Sequence, residues 1–150
     1  MQIKILLSLS FFILISHTLS ENISLSSKIL TAEESFKIFV KEDENNLIIS
    51  MKINERSYIY SDHLSLKDSN QDIFYDTIGN KIFITDEFYG ESPIYKNSLE
   101  LRIPDSYKYI GKVLYLSYQG CLENIICYPK ITKKIKLTKF KNSPISFDFL

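Results

Sequence analysis

Few residues in this chain could do chemistry, and two of them stand close together. Cys121 ends the run Tyr118-Gln119-Gly120-Cys121, and after five intervening residues Cys127 opens Cys127-Tyr128-Pro129; these are the only cysteines. Two thiols at that spacing can form a disulfide, which either staples a fold or exchanges with other thiols through a mixed disulfide. By residue type alone the staple is the simpler reading. Yet closing so short a loop stabilises a fold by only about 2–2.5 kcal/mol in the chain-entropy model, little for a chain with an adequate core.

Other groupings offer less. His63 is the only histidine beyond residue 20. A Cys-Cys-His set at this spacing matches no zinc pattern, so no metal is expected and His63 reads as a strand-surface residue. Asp86-Glu87 reads as an ordinary pair of loop acids, because adjacency does not specify the carboxylate separation that glycoside hydrolysis needs. The sequence holds no glycine-rich phosphate loop and no Ser–His–acid set.

The elements that must position the cysteines begin after residue 20. Lys4, the apolar run from Ile5 to Ser16 and the small residues ending at Ser20 have the layout of a secretory signal peptide. The run is shorter than the ~20 apolar residues a spanning helix needs. Cleavage there predicts a mature chain from about Glu21, exported across the inner membrane to the periplasm, where disulfides persist. No cysteine near that point supports a lipid anchor. Residues 21–29 read as a flexible start, residues 30–140 as one domain and residues 141–150 as a C-terminal tail.

The mature chain of about 130 residues is long enough to bury roughly two-thirds of its unfolded surface. Without Lys4, 17 basic residues face 18 acidic ones, a net charge of −1. That balance gives no electrostatic reason to expect nucleic acid or an anionic membrane as partner. The late lysines Lys130, Lys133, Lys134, Lys136, Lys139 and Lys141 read as a solvated strand face and tail.

Period two dominates the domain. Thr31 with Glu34 fits a capping box for one helical turn. Phe36, Ile38 and Val40 then alternate with lysines, and Leu47, Ile49, Met51 and Ile53 alternate with Ile48, Ser50 and Lys52. Tyr58 to Leu66 reads as one strand, Gly79-Asn80 as a turn and Asp86 to Pro93 as a loop. Leu99, Leu101 and Ile103 form the clearest alternation, and Lys112–Tyr118 and Ile131–Leu137 flank the cysteines. About eight short strands without a long amphipathic helix predict an all-β, immunoglobulin-like β-sandwich. The tryptophan and widely spaced cysteines of antibody domains are absent. Placing Cys121 opposite Cys127 makes a hairpin with a five-residue loop, Leu122 to Ile126, able to bring the α-carbons to the ~5.5–6 Å a disulfide requires. Gly120 could hold a bulge, and the register stays open.

The cysteine segment resembles the redox-active segment of the N-terminal periplasmic domain of the thiol:disulfide interchange protein DsbD. Upstream, Asp86-Glu87-Phe88-Tyr89-Gly90, with Ser92 and Ile94-Tyr95, is similar to that family's cap loop. Tyr58-Ile59-Tyr60 is similar to its tyrosine pair beside the disulfide, and Ala32-Glu33-Glu34-Ser35-Phe36 to its opening. The likeness runs in order from about Leu30 to Leu137. It implies an immunoglobulin-like sandwich with a redox-active disulfide and no other cofactor, acting as a protein-disulfide reductase component. Cys127 would form the mixed disulfide and Cys121 would resolve it. Phe88 would be the lid, with Asp86, Glu87, Tyr89, Gly90, Tyr58 and Tyr60 completing cap and pocket and Gln119, Gly120, Tyr128 and Pro129 flanking the sulfurs. Apolar burial and nearby carboxylates disfavour a thiolate, so the resemblance implies a dithiol that exchanges only when a partner displaces the lid.

The implied partners are thioredoxin-like: a membrane-linked electron donor on one side, periplasmic disulfide isomerases and cytochrome c maturation factors on the other. The family's membrane domain and C-terminal thioredoxin-like domain have no counterpart in these 150 residues. The resemblance therefore implies either a module served by a separate membrane reductase or a piece of a longer chain. The alternative is a non-catalytic periplasmic β-sandwich binding module with a structural disulfide, its ten tyrosines and ten phenylalanines lining a face for a sugar or peptide. An assembly subunit presenting an edge strand has only the architecture in its favour.

Overall fold

The computed structural model describes residues 29–69, 71–87, 89–139 and 144–150, so the expected signal peptide lies outside the described residues. The domain opens with the capping box that the sequence predicts. The Thr31 hydroxyl accepts from the Glu34 N–H at 3.2 Å, and the Glu34 carboxylate accepts from the Thr31 N–H at 2.9 Å, fixing the single turn α1 (Ala32–Ser35).

Strands follow: β1 (Phe36–Asp43), β2 (Asn46–Ile53), β3 (Ser57–Tyr60), β4 (Ser65–Asp68), β5 (Gln71–Asp72) and β6 (Asp76–Asp86). After these come β7 (Gly90–Ile103), β8 (Val113–Tyr118), β9 (Gly120–Leu122), β10 (Ile126–Cys127), β11 (Ile131–Lys139) and β12 (Ile145–Phe149). One sheet has the order β1-β2-β7-β3-β9-β10, with β6 also paired to β7; the other has the order β12-β11-β8-β4-β5. The domain is an all-β, immunoglobulin-like sandwich.

The core follows from period two. Leu47, Ile49 and Met51 of β2 lie opposite Ile103, Leu101 and Leu99 of β7. All six join Leu66, Leu114, Leu116, Ile135 and Leu137 of the second sheet in one buried cluster. Their alternate neighbours Lys52 and Ser98 are exposed, as the alternation read from sequence requires, although Ile48 on the same side of β2 is buried.

Several local expectations change. Tyr58 to Leu66 is not one strand but two, β3 in the first sheet and β4 in the second, joined by a 3₁₀ turn at Ser61–His63. The polar run Ser61-Asp62-His63 has no apolar side chain to continue the strand, and the chain changes sheet there. Gly79-Asn80 lies inside β6 rather than at a turn; the register on β7 jumps from Gly79 opposite Leu99 to Lys81 opposite Tyr95. A Cβ on Gly79 would sit 3.0 Å from the Ser98 carbonyl oxygen, so any larger residue there asks β7 to give by a few tenths of an ångström.

Asp86 to Pro93, expected as a loop, is mostly strand, since β6 runs to Asp86 and β7 starts at Gly90. The period is hidden because this hairpin faces solvent on one side, with Phe83, opposite Pro93, 67% exposed. Within the expected tail, β12 pairs with β11 and buries Ile145.

Candidate functional site

Period two in β3 decides where the cysteines meet their surroundings. Ile59 enters the main core, whereas Tyr58 and Tyr60 join a smaller cluster with Ile94 and Cys121. β3 pairs with β9 so that Tyr58 lies opposite Cys121 and Ile59 opposite Gly120. On its other edge β9 pairs with β10, setting Cys121 directly opposite Cys127 and Leu122 opposite Ile126. The connection is therefore shorter than the expected Leu122–Ile126 loop.

The Tyr128 N–H donates to the Gly120 carbonyl at 3.0 Å, which makes Cys121 and Cys127 a non-hydrogen-bonded pair, the kind whose α-carbons come closest. They are 3.9 Å apart, less than the separation expected from sequence, and the sulfurs are bonded. Gly120 holds no bulge; it lets two strands and a ring approach. A Cβ there would collide with the Tyr58 carbonyl oxygen and sit 2.6 Å from Phe36 Cζ.

The two sulfurs are not equivalent. Cys121 lies on an interior strand and is 1% exposed, while Cys127 lies on the outermost strand of its sheet and is only half-buried. The Tyr60 hydroxyl lies 3.4 Å from Cys121 Sγ and 3.9 Å from Cys127 Sγ. Tyr58 packs edge-on against Tyr60 with ring centroids 5.3 Å apart, and the two hydroxyls are 3.4 Å apart. Tyr89, beside the tip of the β6–β7 hairpin, packs edge-on against Tyr60 at 4.8 Å. One phenol thus touches both sulfurs, and a second covers the first.

Gln119 ties these groups together. Its side-chain N–H donates to the Tyr128 carbonyl at 3.2 Å, and its amide oxygen accepts from the Tyr89 hydroxyl at 3.1 Å. His63 Nδ1 is 2.9 Å from the same oxygen, and its ring packs against both Tyr60 and Tyr89. His63 is therefore part of this site and not a strand-surface residue. Only the 3₁₀ turn between β3 and β4 brings it there, a turn that the break in alternation after Tyr60 signals weakly.

The remaining residues divide. Tyr128 turns toward the core: its hydroxyl donates to the Leu30 carbonyl at 2.7 Å and lies 2.8 Å from Ser35 Oγ, and its ring meets Phe36 edge-on. It ties the cysteine segment to α1. Pro129 is exposed just after β10. Asp86 ends β6 opposite Gly90, whose φ of +69° suits glycine at a tight hairpin end. Glu87 is exposed in the turn, and Phe88 lies outside the described residues. Among the described residues no group of three or more His, Cys, Asp or Glu gathers as a metal site, and no helix is long and apolar enough to cross a membrane.

The family profile described as "Thiol:disulfide interchange protein DsbD, N-terminal" matches residues 26–139. The chain belongs to this DsbD N-terminal domain family. DsbD of Salmonella typhimurium is 28% identical over 113 residues, 75% of this chain and 20% of the relative; DsbD of Escherichia coli is 26% identical over the same coverage. The chain thus spans about a fifth of the length of the curated relatives it matches. The reduced DsbD N-terminal domain of Neisseria meningitidis superposes with a TM-score of 0.63 at 22% identity, covering 84% of this chain and 98% of that one. A second structure, of the complex between the DsbD and PilB N-terminal domains of the same organism, gives 0.57 at 24% identity over 71% and 85% of the two chains. At these identities the structural likeness speaks for the DsbD N-terminal fold.

Proposed function

We propose that this domain is a periplasmic thiol–disulfide exchange module that relays electrons as a dithiol. The observation that carries the reading is the asymmetry of the pair: Cys127 half-buried on an outermost strand, Cys121 sealed on the strand behind it. Exchange needs one sulfur that a partner can reach and a second held within bonding distance of the first. In the dithiol state the Cys127 thiolate attacks a partner disulfide, forming a mixed disulfide and releasing one partner thiolate. The Cys121 thiolate then attacks Cys127 Sγ, closing the Cys121–Cys127 bond and releasing the second partner thiolate. Two electrons pass to the partner, and the two protons that Cys127 and Cys121 give up on forming thiolates are taken up by the two released partner thiolates.

In this reading Phe88, Tyr89 and Gly90 cap the pair, Asp86 and Glu87 edge the pocket, and Tyr58 and Tyr60 floor it. The partners are thioredoxin-like proteins. A membrane-linked donor reloads the dithiol, and disulfide isomerases or cytochrome c maturation factors take the electrons. The solved complex of a related DsbD N-terminal domain with a PilB N-terminal domain supports a protein partner for this domain.

The deciding measurement is the reduction potential of Cys121–Cys127, from equilibration in dithiol buffers and trapping of free thiols. A relay sits at roughly −200 to −270 mV; a value below about −300 mV makes the bridge a staple and favours the binding-module alternative.

A further inference from the structure

Gln119 presents one amide oxygen to two donors from two different elements. The 3₁₀ turn supplies His63 Nδ1 at 2.9 Å, and the hairpin tip supplies the Tyr89 hydroxyl at 3.1 Å. The amide cannot be turned over, because its nitrogen donates to the Tyr128 carbonyl and a flipped oxygen would face that carbonyl oxygen. An oxygen acceptor also dictates that His63 carries its proton on Nδ1. The two donors touch each other as well: the His63 and Tyr89 rings meet edge-on at 4.6 Å, and both pack on Tyr60, whose hydroxyl reaches both sulfurs.

We infer that His63 is a positioning residue for exchange: it aims the Gln119 amide oxygen at Tyr89 and so holds the Tyr89 ring on Tyr60, the residue whose hydroxyl reaches both sulfurs. The inference rests on the exchange reading and names what regulates access to that site. For Tyr89 to move off Tyr60 and uncover the phenol that touches both sulfurs, its hydroxyl must leave Gln119. Without the His63 bond the Gln119 side chain loses one of the contacts that orient it, and Tyr89 leaves Tyr60 more often.

Two substitutions separate the bond from the packing. His63→Phe keeps a ring against Tyr60 and Tyr89 but removes the donor; His63→Asn keeps a donor at the place of Nδ1 but removes the ring. The readout is the rate at which dithiothreitol reduces the oxidised domain, alongside the urea midpoint and the reduction potential. His63→Phe should raise the rate about three- to tenfold, the worth of one hydrogen bond, with the midpoint and potential close to wild type. His63→Asn should stay near the wild-type rate. Tyr89→Phe, on an exposed side chain where folding is not at risk, should give a similar increase, and the His63→Phe/Tyr89→Phe pair no more than the larger single effect.

An unchanged rate in both His63→Phe and Tyr89→Phe overturns the inference. So does a rise in His63→Asn equal to that in His63→Phe, or full additivity in the double variant. A wild-type potential in the staple range would instead overturn the exchange reading, leaving the latch effect on small thiols to be judged on its own.

Discussion

The Tyr60 hydroxyl lies 3.4 Å from Cys121 Sγ, the sulfur that solvent does not reach. In the disulfide neither sulfur carries a proton, so the phenol is the only donor of the two. When Cys121 leaves as a thiolate during reduction, that O–H stabilises the developing charge. Tyr60→Phe should therefore slow reduction of the bridge about three- to tenfold while shifting the urea midpoint little, since the ring and its packing remain. Stopped-quench trapping of free thiols measures this, and an unchanged rate would leave Tyr60 as packing alone.

The asymmetry of the sulfurs predicts opposite outcomes for two alanines. Cys127→Ala should abolish transfer to any thioredoxin-like partner. Cys121→Ala should leave Cys127 able to attack but unable to resolve, accumulating a mixed disulfide visible as a mass increase under non-reducing conditions. Full transfer by both variants would falsify the assignment.

Gly120→Ala should lower stability by about 2–3 kcal/mol. The new methyl meets the Tyr58 carbonyl oxygen and the Phe36 ring, so β9 must move away from β3 and carry Cys121 with it. Urea unfolding of the oxidised domain checks the magnitude; a midpoint equal to wild type would mean the strands part without cost.

Stability should fall in alkali. Burial pushes the phenols of Tyr75, Tyr109 and Tyr118 above their ordinary range, with desolvation the leading cause at each. The unfolded chain releases these protons near pH ~10, whereas the folded state keeps them longer. Their contribution is thus complete below about pH 10 and is lost as pH rises through the folded values. Urea midpoints should be level from about pH 7 to 9 and then decline, and Tyr118→Phe should make the decline shallower.

Much of the domain was legible from residue order. The Thr31–Glu34 cap, the Leu99-Leu101-Ile103 strand and the Leu47-Ile49-Met51 strand depend on neighbours a few positions away, and each formed as read. Elements with a weak period, or with partners far off in the chain, read differently. The tip of the β6–β7 hairpin, Asp86 to Pro93, reads as a loop because one face meets solvent, Gly79-Asn80 reads as a turn because a register shift looks like one in sequence, and His63 reads as surface because nothing near it in sequence announces Gln119 or Tyr89.

By itself the sequence determined the all-β class and the apolar face of the most cleanly alternating strand, Leu99-Leu101-Ile103. It also determined that any thiol chemistry must run through Cys121 and Cys127, because these follow from local alternation and from residue type. Tertiary structure decided that Cys121 is sealed and Cys127 is not, and that one glutamine holds both His63 and Tyr89. Those facts depend on strand order and on contacts such as Tyr58 with Cys121, made between residues far apart in the chain. Side-chain periodicity specifies a strand's faces but carries no information about which strand lies at its edge.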